Sequence, residues 1–244
     1  MTTLGRQLND DFAVKSKFAD TSRWYVNRFI EVVARQLRPG LRILDAGAGE
    51  CAYKQHFGHC DYVAVDLAVG DVTWNYHNLD CMSSLHALCF RDESFDAVLC
   101  TQVLEHLEWP RECVAEFFRV LKPGGKLFIT VPMAQEEHQI PYDFFRYTSF
   151  GLRSMCERAG LEVSQIQPLG GMFARWAYEL SRLLSIFPPI GLTKGTFHVR
   201  DLLLIPVKAS LLAAIRILQA LLFAIDGLDR VRNDPLGWSV IAQK

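Results

Sequence analysis

Short apolar runs alternate with segments of helical period along this chain, and few folds accept that pattern. RILDAGAGE (42–50), YVAVDL (62–67), FDAVLC (95–100) and KLFITVP (126–132) each read as a short buried strand. Before them, SRWYVNRFIEVVARQL (22–37) sets Trp24, Phe29, Val32, Val33 and Leu37 at helical spacing, and Pro39-Gly40 stops it. Arg111 to Leu121 repeats the period with Val114, Phe117, Phe118 and Leu121, and Lys122-Pro123-Gly124-Gly125 turns the chain into the next strand. SFGLRSMCERAG adds a helix closed by Gly160, followed by LEVSQIQPL and, much later, GWSVIAQK as further strands. Strands connected through helices pair in parallel, so the pattern predicts an α/β fold with a doubly wound sheet. A chain of 244 residues can bury one such core with an elaboration.

The charge balance narrows the partners. A net charge of −1 gives no support to a nucleic-acid surface, and none is expected as a partner. Seven cysteines at irregular spacing, with no C-x-x-C pair, point to reduced thiols in a cytoplasmic protein rather than to disulfides or a zinc site. The opening MTTLGRQLNDDFAVKSK lacks an apolar core, so no leader peptide is expected.

DAGAG (45–49) lies between a strand and an expected helix, where backbone N–H groups can face a ligand. Read as G-x-G-x-x-A through Gly47, Gly49 and Ala52, it also fits a dinucleotide fingerprint, and Asp66 stands where a ribose-binding acid belongs. A tight structural turn is the third reading. Asp45 at the strand end favours the ammonium of a cationic ligand over a pyrophosphate. Asp66 is placed for two ribose hydroxyls and Asp80 for an adenine amino group. An amino acid, a ribose and an adenine without phosphate describe S-adenosylmethionine.

ILDAGAGE, VAVDL, FRDESFDAVLCTQVLEHLEWP and RVLKPGGKLFITVP resemble, in order and spacing, the class I S-adenosylmethionine-dependent methyltransferases. The similarity is strongest to the broad methyltransferase-domain group with LPFxDxSFD and VLEH signatures, over about 40–170 and the last ten residues. Cys89 departs from it by replacing the signature proline, and the stretch from Asp80 to Leu88 is longer than typical. The resemblance implies a Rossmann-like, seven-stranded, mostly parallel sheet with an antiparallel last strand. It implies that Asp45, Gly47 and Gly49 hold the methionine end, Asp66 with Leu67 the ribose, and Asp80, Cys81 and Met82 the adenine. Thr101 and the loop after it would approach the methyl-bearing sulfur, while Glu50 and Tyr53 either close the pocket or form an exposed helical turn. The expected activity is methyl transfer to an unidentified acceptor: a small molecule, a glycan or a lipid-linked group. An NAD-type oxidoreductase and a cofactor-binding non-catalytic module are the alternatives.

HQIPYDFFRYT (138–148) follows the KLFITVP strand, at the edge where open sheets bind ligands. His138 is the first candidate for a catalytic base and Asp143 the second. Arg146 could clamp an anionic acceptor, with Tyr142 and Tyr147 among its flat walls and His106 nearby. The competing reading is an Asp143–Arg146 ion pair over buried phenylalanines, with Thr148-Ser149 capping the next helix. Glu105, His106 and His138 have the chemistry of a metal set, but no confirming spacing, so no metal is expected.

The segments divide as a helical cap (1–38), a cofactor-binding core (39–171), a helical apolar insertion (172–234) and a final strand (235–244). Within the insertion, MFARWAYELSRLLSIF (172–187) puts Phe173, Trp176, Leu180, Leu183, Leu184 and Phe187 opposite Arg175, Glu179 and Arg182, and Pro188-Pro189 ends it. PVKASLLAAIRILQALLFAIDGLDR (206–230) confines Lys208, Arg216, Gln219, Asp226 and Arg230 to a stripe about 80° wide. Lys208 and Arg216 each cost roughly 2.5–3.5 kcal/mol near a bilayer centre, which argues against a span. Its broad apolar face is expected against the core, against a second copy through 200–230, or on a membrane surface.

Overall fold

The computed structural model describes residues 17–18, 20–70, 73–183 and 199–244, with backbone alone for 199–205 and 208. Leu184, Phe187 and the Pro188-Pro189 stop, the leader reading of the N-terminus and the side chain of Lys208 lie outside the described residues.

Seven strands form one sheet: β1 (Arg42–Ala46), β2 (Asp61–Asp66), β3 (Cys81–Met82), β4 (Phe95–Thr101), β5 (Leu121–Pro132), β6 (Glu162–Leu169) and β7 (Gly237–Gln243). Their order is β3-β2-β1-β4-β5-β7-β6. β1, β2, β3, β4 and β5 pair in parallel, and β7 runs antiparallel between β5 and β6. This is the doubly wound, mostly parallel sheet with a reversed last strand that the sequence implied.

Alternation along the strands sorts the core into two layers. On β4, Ala97 and Leu99 face helix α1 (Thr21–Gln36) with its Val26, Ile30 and Val33. Val98 and Cys100 face the other way, toward Phe117 of helix α2 (Pro110–Val120) and Leu152 of helix α3 (Ser149–Arg158). Burial on both faces explains why these strands read as continuous apolar runs. Caps fix two of the helices: Asp20 accepts from Arg23 N at 3.0 Å, and Thr148 Oγ1 from Gly151 N at 3.1 Å.

The strand order reverses between β1 and β4, which opens a crevice at their C-terminal ends. No α-helix follows DAGAG, contrary to expectation; Cys51 takes a left-handed φ of 59° and the segment forms only a 3-10 turn at Lys54–Phe57. β3 has two residues, too few to show periodicity.

Helices α4 (Met172–Leu183) and α5 (Val199–Ile225) pack on each other before β7. Their contact inverts the usual polarity. Gln219, fully buried, donates to Ala177 O at 2.7 Å and Ser181 Oγ at 2.6 Å, and Arg216 donates to Phe18 O. Just past α5, Asp226 accepts from Ala174 N at 2.8 Å. Arg216, Gln219 and Asp226 of the polar stripe turn inward, leaving Leu212, Ile217, Leu218, Leu221 and Ile225 exposed. The core therefore does not cover this helix; its polar groups bind α4 instead.

Candidate active site

A cleft of about 570 Å³ occupies the crevice at the strand ends. Its floor is the turn after β1. Gly47 and Ala48 donate to Val65 O at 2.8 and 3.0 Å, tying the turn to β2. Gly47 has φ 87°, and a Cβ there would lie 2.4 Å from Val103 Cγ2, so only glycine lets the turn pass beside the loop after β4. Gly49 donates to Asp66 Oδ2 at 2.9 Å, and Ala68 N to Asp66 Oδ1 at 2.7 Å. These bonds orient the Asp66 carboxylate at the cleft wall.

Gly47, Gly49, Asp66, Leu67, Thr101, His106, His138 and Tyr142 all line this cleft. Seven other expected residues do not line it, among them Met82, exposed on β3. Asp45 is buried beneath the turn, where Tyr62 Oη donates to Oδ2, and burial pushes its carboxyl up to about 7. Asp80 Oδ2 accepts from Ala64 N at 2.9 Å, which ties it to β2, and the residue does not line the cleft. Cys81 Sγ sits 2.8 Å from Cys89 Sγ, also off the wall. In their place the long stretch after β3 brings Ser84, Leu85 and His86 to the cleft.

The loop 138–148 shows the same division. Arg146 spends all five N–H groups: Nε on Gln135 O, Nη1 on Asp143 Oδ1 and Phe145 O, and Nη2 on Asp143 Oδ2 and Glu136 O, at 2.7–3.1 Å. The guanidinium beside Asp143 holds that carboxyl down at about 2. Asp143 is thus an ionised anchor, not a base, and Arg146 is no acceptor clamp. Tyr147 Oη donates to Leu104 O at 2.8 Å and its ring packs on the core.

His138 and His106 meet at the cleft with ring centroids 4.7 Å apart. His106 Nδ1 lies 2.6 Å from Tyr142 O, so that nitrogen carries the proton and Nε2 is the bare one. Burial lowers the His106 pKa, keeping the ring neutral. Beneath it, Glu105 is completely buried, and burial pushes its carboxyl up to about 8.

Asp20, Arg23 and Trp74 also reach the cleft and were not identified as ligand residues from the sequence, while Glu50 and Tyr53, expected either to close the pocket or to form an exposed turn, line it. Asp20 shows in sequence only as a helix cap. Its place at the cleft mouth comes from how α1 crosses the sheet.

Residues 44–129 match the methyltransferase domain family. A demethylmenaquinone methyltransferase of Renibacterium salmoninarum is 35% identical over 115 residues, 45% of this chain and 47% of that protein. A ubiquinone biosynthesis O-methyltransferase of Xanthomonas axonopodis pv. citri is 33% identical over 113 residues, 41% and 47% respectively. The chain thus spans about half the length of the curated relatives it matches. Phosphoethanolamine N-methyltransferase 2 of Haemonchus contortus, solved with S-adenosyl-L-methionine, shares the fold at a TM-score of 0.53 and 16% identity, covering 96% of this chain and 59% of that one. Residues 44–129 thus carry a methyltransferase-domain match, set in a fold shared with S-adenosylmethionine-dependent methyltransferases. Gly47, Gly49 and the Asp66 carboxylate line the cleft where such a ligand would lie, and the turn itself requires glycine at 47, since any side chain there would collide with Val103.

Proposed function

We propose that the chain methylates a hydroxyl on an aromatic, quinone-precursor-type acceptor brought from a membrane surface. The observation that carries this reading is one cleft lined both by Gly47, Gly49 and Asp66 and by the His106–His138 pair. Gly47, Gly49, Asp66 and Leu67 would hold the cofactor, with Ser84 and Leu85 near its base; when bound, it supplies a methyl group on a sulfonium. The protein then has to position the acceptor oxygen and promote loss of its proton. The imidazole pair is placed for the second task. Tyr142, Phe144 and Trp109 offer flat apolar walls for the first, and Arg146, fully engaged, offers nothing to an anionic group. Aromatic, weakly polar acceptors suit that lining, as do the names of the matched relatives.

The reversed polarity of α5 supports the membrane part. Ala209–Leu228 is long and apolar enough to cross a bilayer. Arg216 and Gln219, however, are bonded to the protein, so the helix lies along the interface with its outer face in lipid. The reading includes a cytoplasmic, membrane-peripheral localisation, with a homodimer through the same face as the competing occupant.

The test is transfer of a labelled methyl group to a synthetic phenolic quinone precursor. His138→Ala should lower kcat about 10²–10⁴-fold while leaving S-adenosylhomocysteine affinity unchanged; full turnover in that variant would sink the assignment. Flotation with anionic liposomes tests the surface. Recovery only as a soluble dimer would replace the membrane with a second copy.

A further inference from the structure

Glu105, His106 and His138 form the least satisfied polar cluster among the described residues. Both Glu105 side-chain oxygens and His106 Nε2 are buried without a hydrogen-bond partner. Burying a carboxyl group without a hydrogen-bond partner is costly, and native proteins rarely leave one so. Arg146, whose charge acts on Glu105, is itself bonded to Asp143, and neither Glu105 oxygen has a hydrogen-bond partner among the described residues.

The ring nitrogens are arranged as metal-binding imidazoles are. His106 Nδ1 is bonded to Tyr142 O at 2.6 Å, which directs Nε2 toward Glu105 Oε1, 3.9 Å away. His138 Nδ1 lies 3.0 Å from Glu136 O and 3.4 Å from Asp143 Oδ2, which leaves its Nε2 bare as well. An acceptor behind each Nδ1 is the outer support that fixes the tautomer and raises the basicity of a ligating histidine. One ligand atom from each of the three residues falls within 4.8 Å of the others. Bonds of about 2.0–2.2 Å put ligand atoms roughly 3–3.5 Å apart, so closure needs side-chain shifts of about an ångström.

We propose that Glu105, His106 and His138 bind one divalent transition ion of the zinc, iron(II) or manganese class at the acceptor end of the cleft. One carboxylate and two imidazoles leave coordination positions open toward the cleft. The chemical consequence, which rests on reading this cleft as the acceptor site, is that the ion lowers the pKa of an acceptor hydroxyl joining its shell. The proton then passes to solvent water and His138 serves as a ligand, which is how the imidazole pair activates the oxygen. Sequence spacing hid the set because Glu105 and His106 adjoin each other after β4 while His138 follows β5.

The experiment uses the untagged chain, stripped with a chelator and titrated with zinc by calorimetry. One ion per chain is expected, with affinity reduced at least tenfold in Glu105→Gln and His138→Ala. S-adenosylhomocysteine affinity should be equal in all three proteins. In the wild-type chain, cobalt should shift or broaden the ring resonances of His106 and His138, a readout that survives if a variant fails to fold. No stoichiometric ion, unaltered affinity in both folded variants, or unmoved His106 and His138 signals would each overturn the site. Failure to bind S-adenosylhomocysteine would instead strike the methyltransferase reading and leave the ion site standing.

Discussion

Single residues at this site divide into those whose backbone speaks for itself and those whose partners are tertiary. Gly47 belongs to the first kind: a strand ending in glycines already reads as a tight turn, and the structure adds the Val103 contact. Gly47→Ala should weaken S-adenosylhomocysteine binding at least tenfold. Gly40→Ala, at φ 81° but with nothing near its Cβ, should cost only about 1 kcal/mol and leave affinity intact. Arg146 belongs to the second kind, because five donors give no hint in sequence of whether they meet a ligand or the chain itself. Arg146→Lys should destabilise the protein by about 1–3 kcal/mol in urea, since an ammonium cannot reproduce the planar fork. Asp45 is buried with its carboxyl raised to about 7, against 3.8 for an ordinary aspartate. The folded state therefore holds a proton that the unfolded chain has released, so stability falls as pH rises from about 4 to about 7 and then levels. Asp45→Asn should remove that slope, gaining on the wild type by roughly 3–4 kcal/mol at pH 8, as thermal or urea melts across pH will show.

Among the elements, α5 has the behaviour least expected from its pattern. Its apolar breadth was plain in the sequence, but the direction it would face was not, because a narrow polar stripe is usually assigned to solvent. Here the stripe is the adhesive, with Gln219 bonded to two groups of α4 and Arg216 reaching Phe18 O. Gln219→Ala should free α5 from α4 while leaving the sheet unchanged. Amide exchange within 209–225 is expected to accelerate at least tenfold, with strands β4 and β5 protected as before. The short elements were the hardest to read. β3 is too brief for any period, and Cys51 in the left-handed region cut off the helix that DAGAG suggested.

At the scale of the molecule, alternation and apolar continuity sufficed to recognise the doubly wound sheet, and motif order supplied its reversed strand. What they could not supply was which carboxylates would be consumed inside the fold, as Asp45 is beneath the glycine turn, where Tyr62 Oη donates to it. β7 contributes Trp238, Val240 and Ala242 to the core and is hydrogen-bonded on both sides. Removing residues 237–244 should abolish the cooperative unfolding transition followed by circular dichroism. The position of β7 also sets an order of events at the ribosome. β5 and β6 are synthesised with a strand-wide gap between them, and Pro132 waits for Gly237 until both insertion helices have been made. During that interval two backbone edges and the apolar outer face of α5 are exposed together, a state prone to mispairing. A chaperone or the membrane itself, engaging α5 before the last strand emerges, would shield the chain while its sheet is still open.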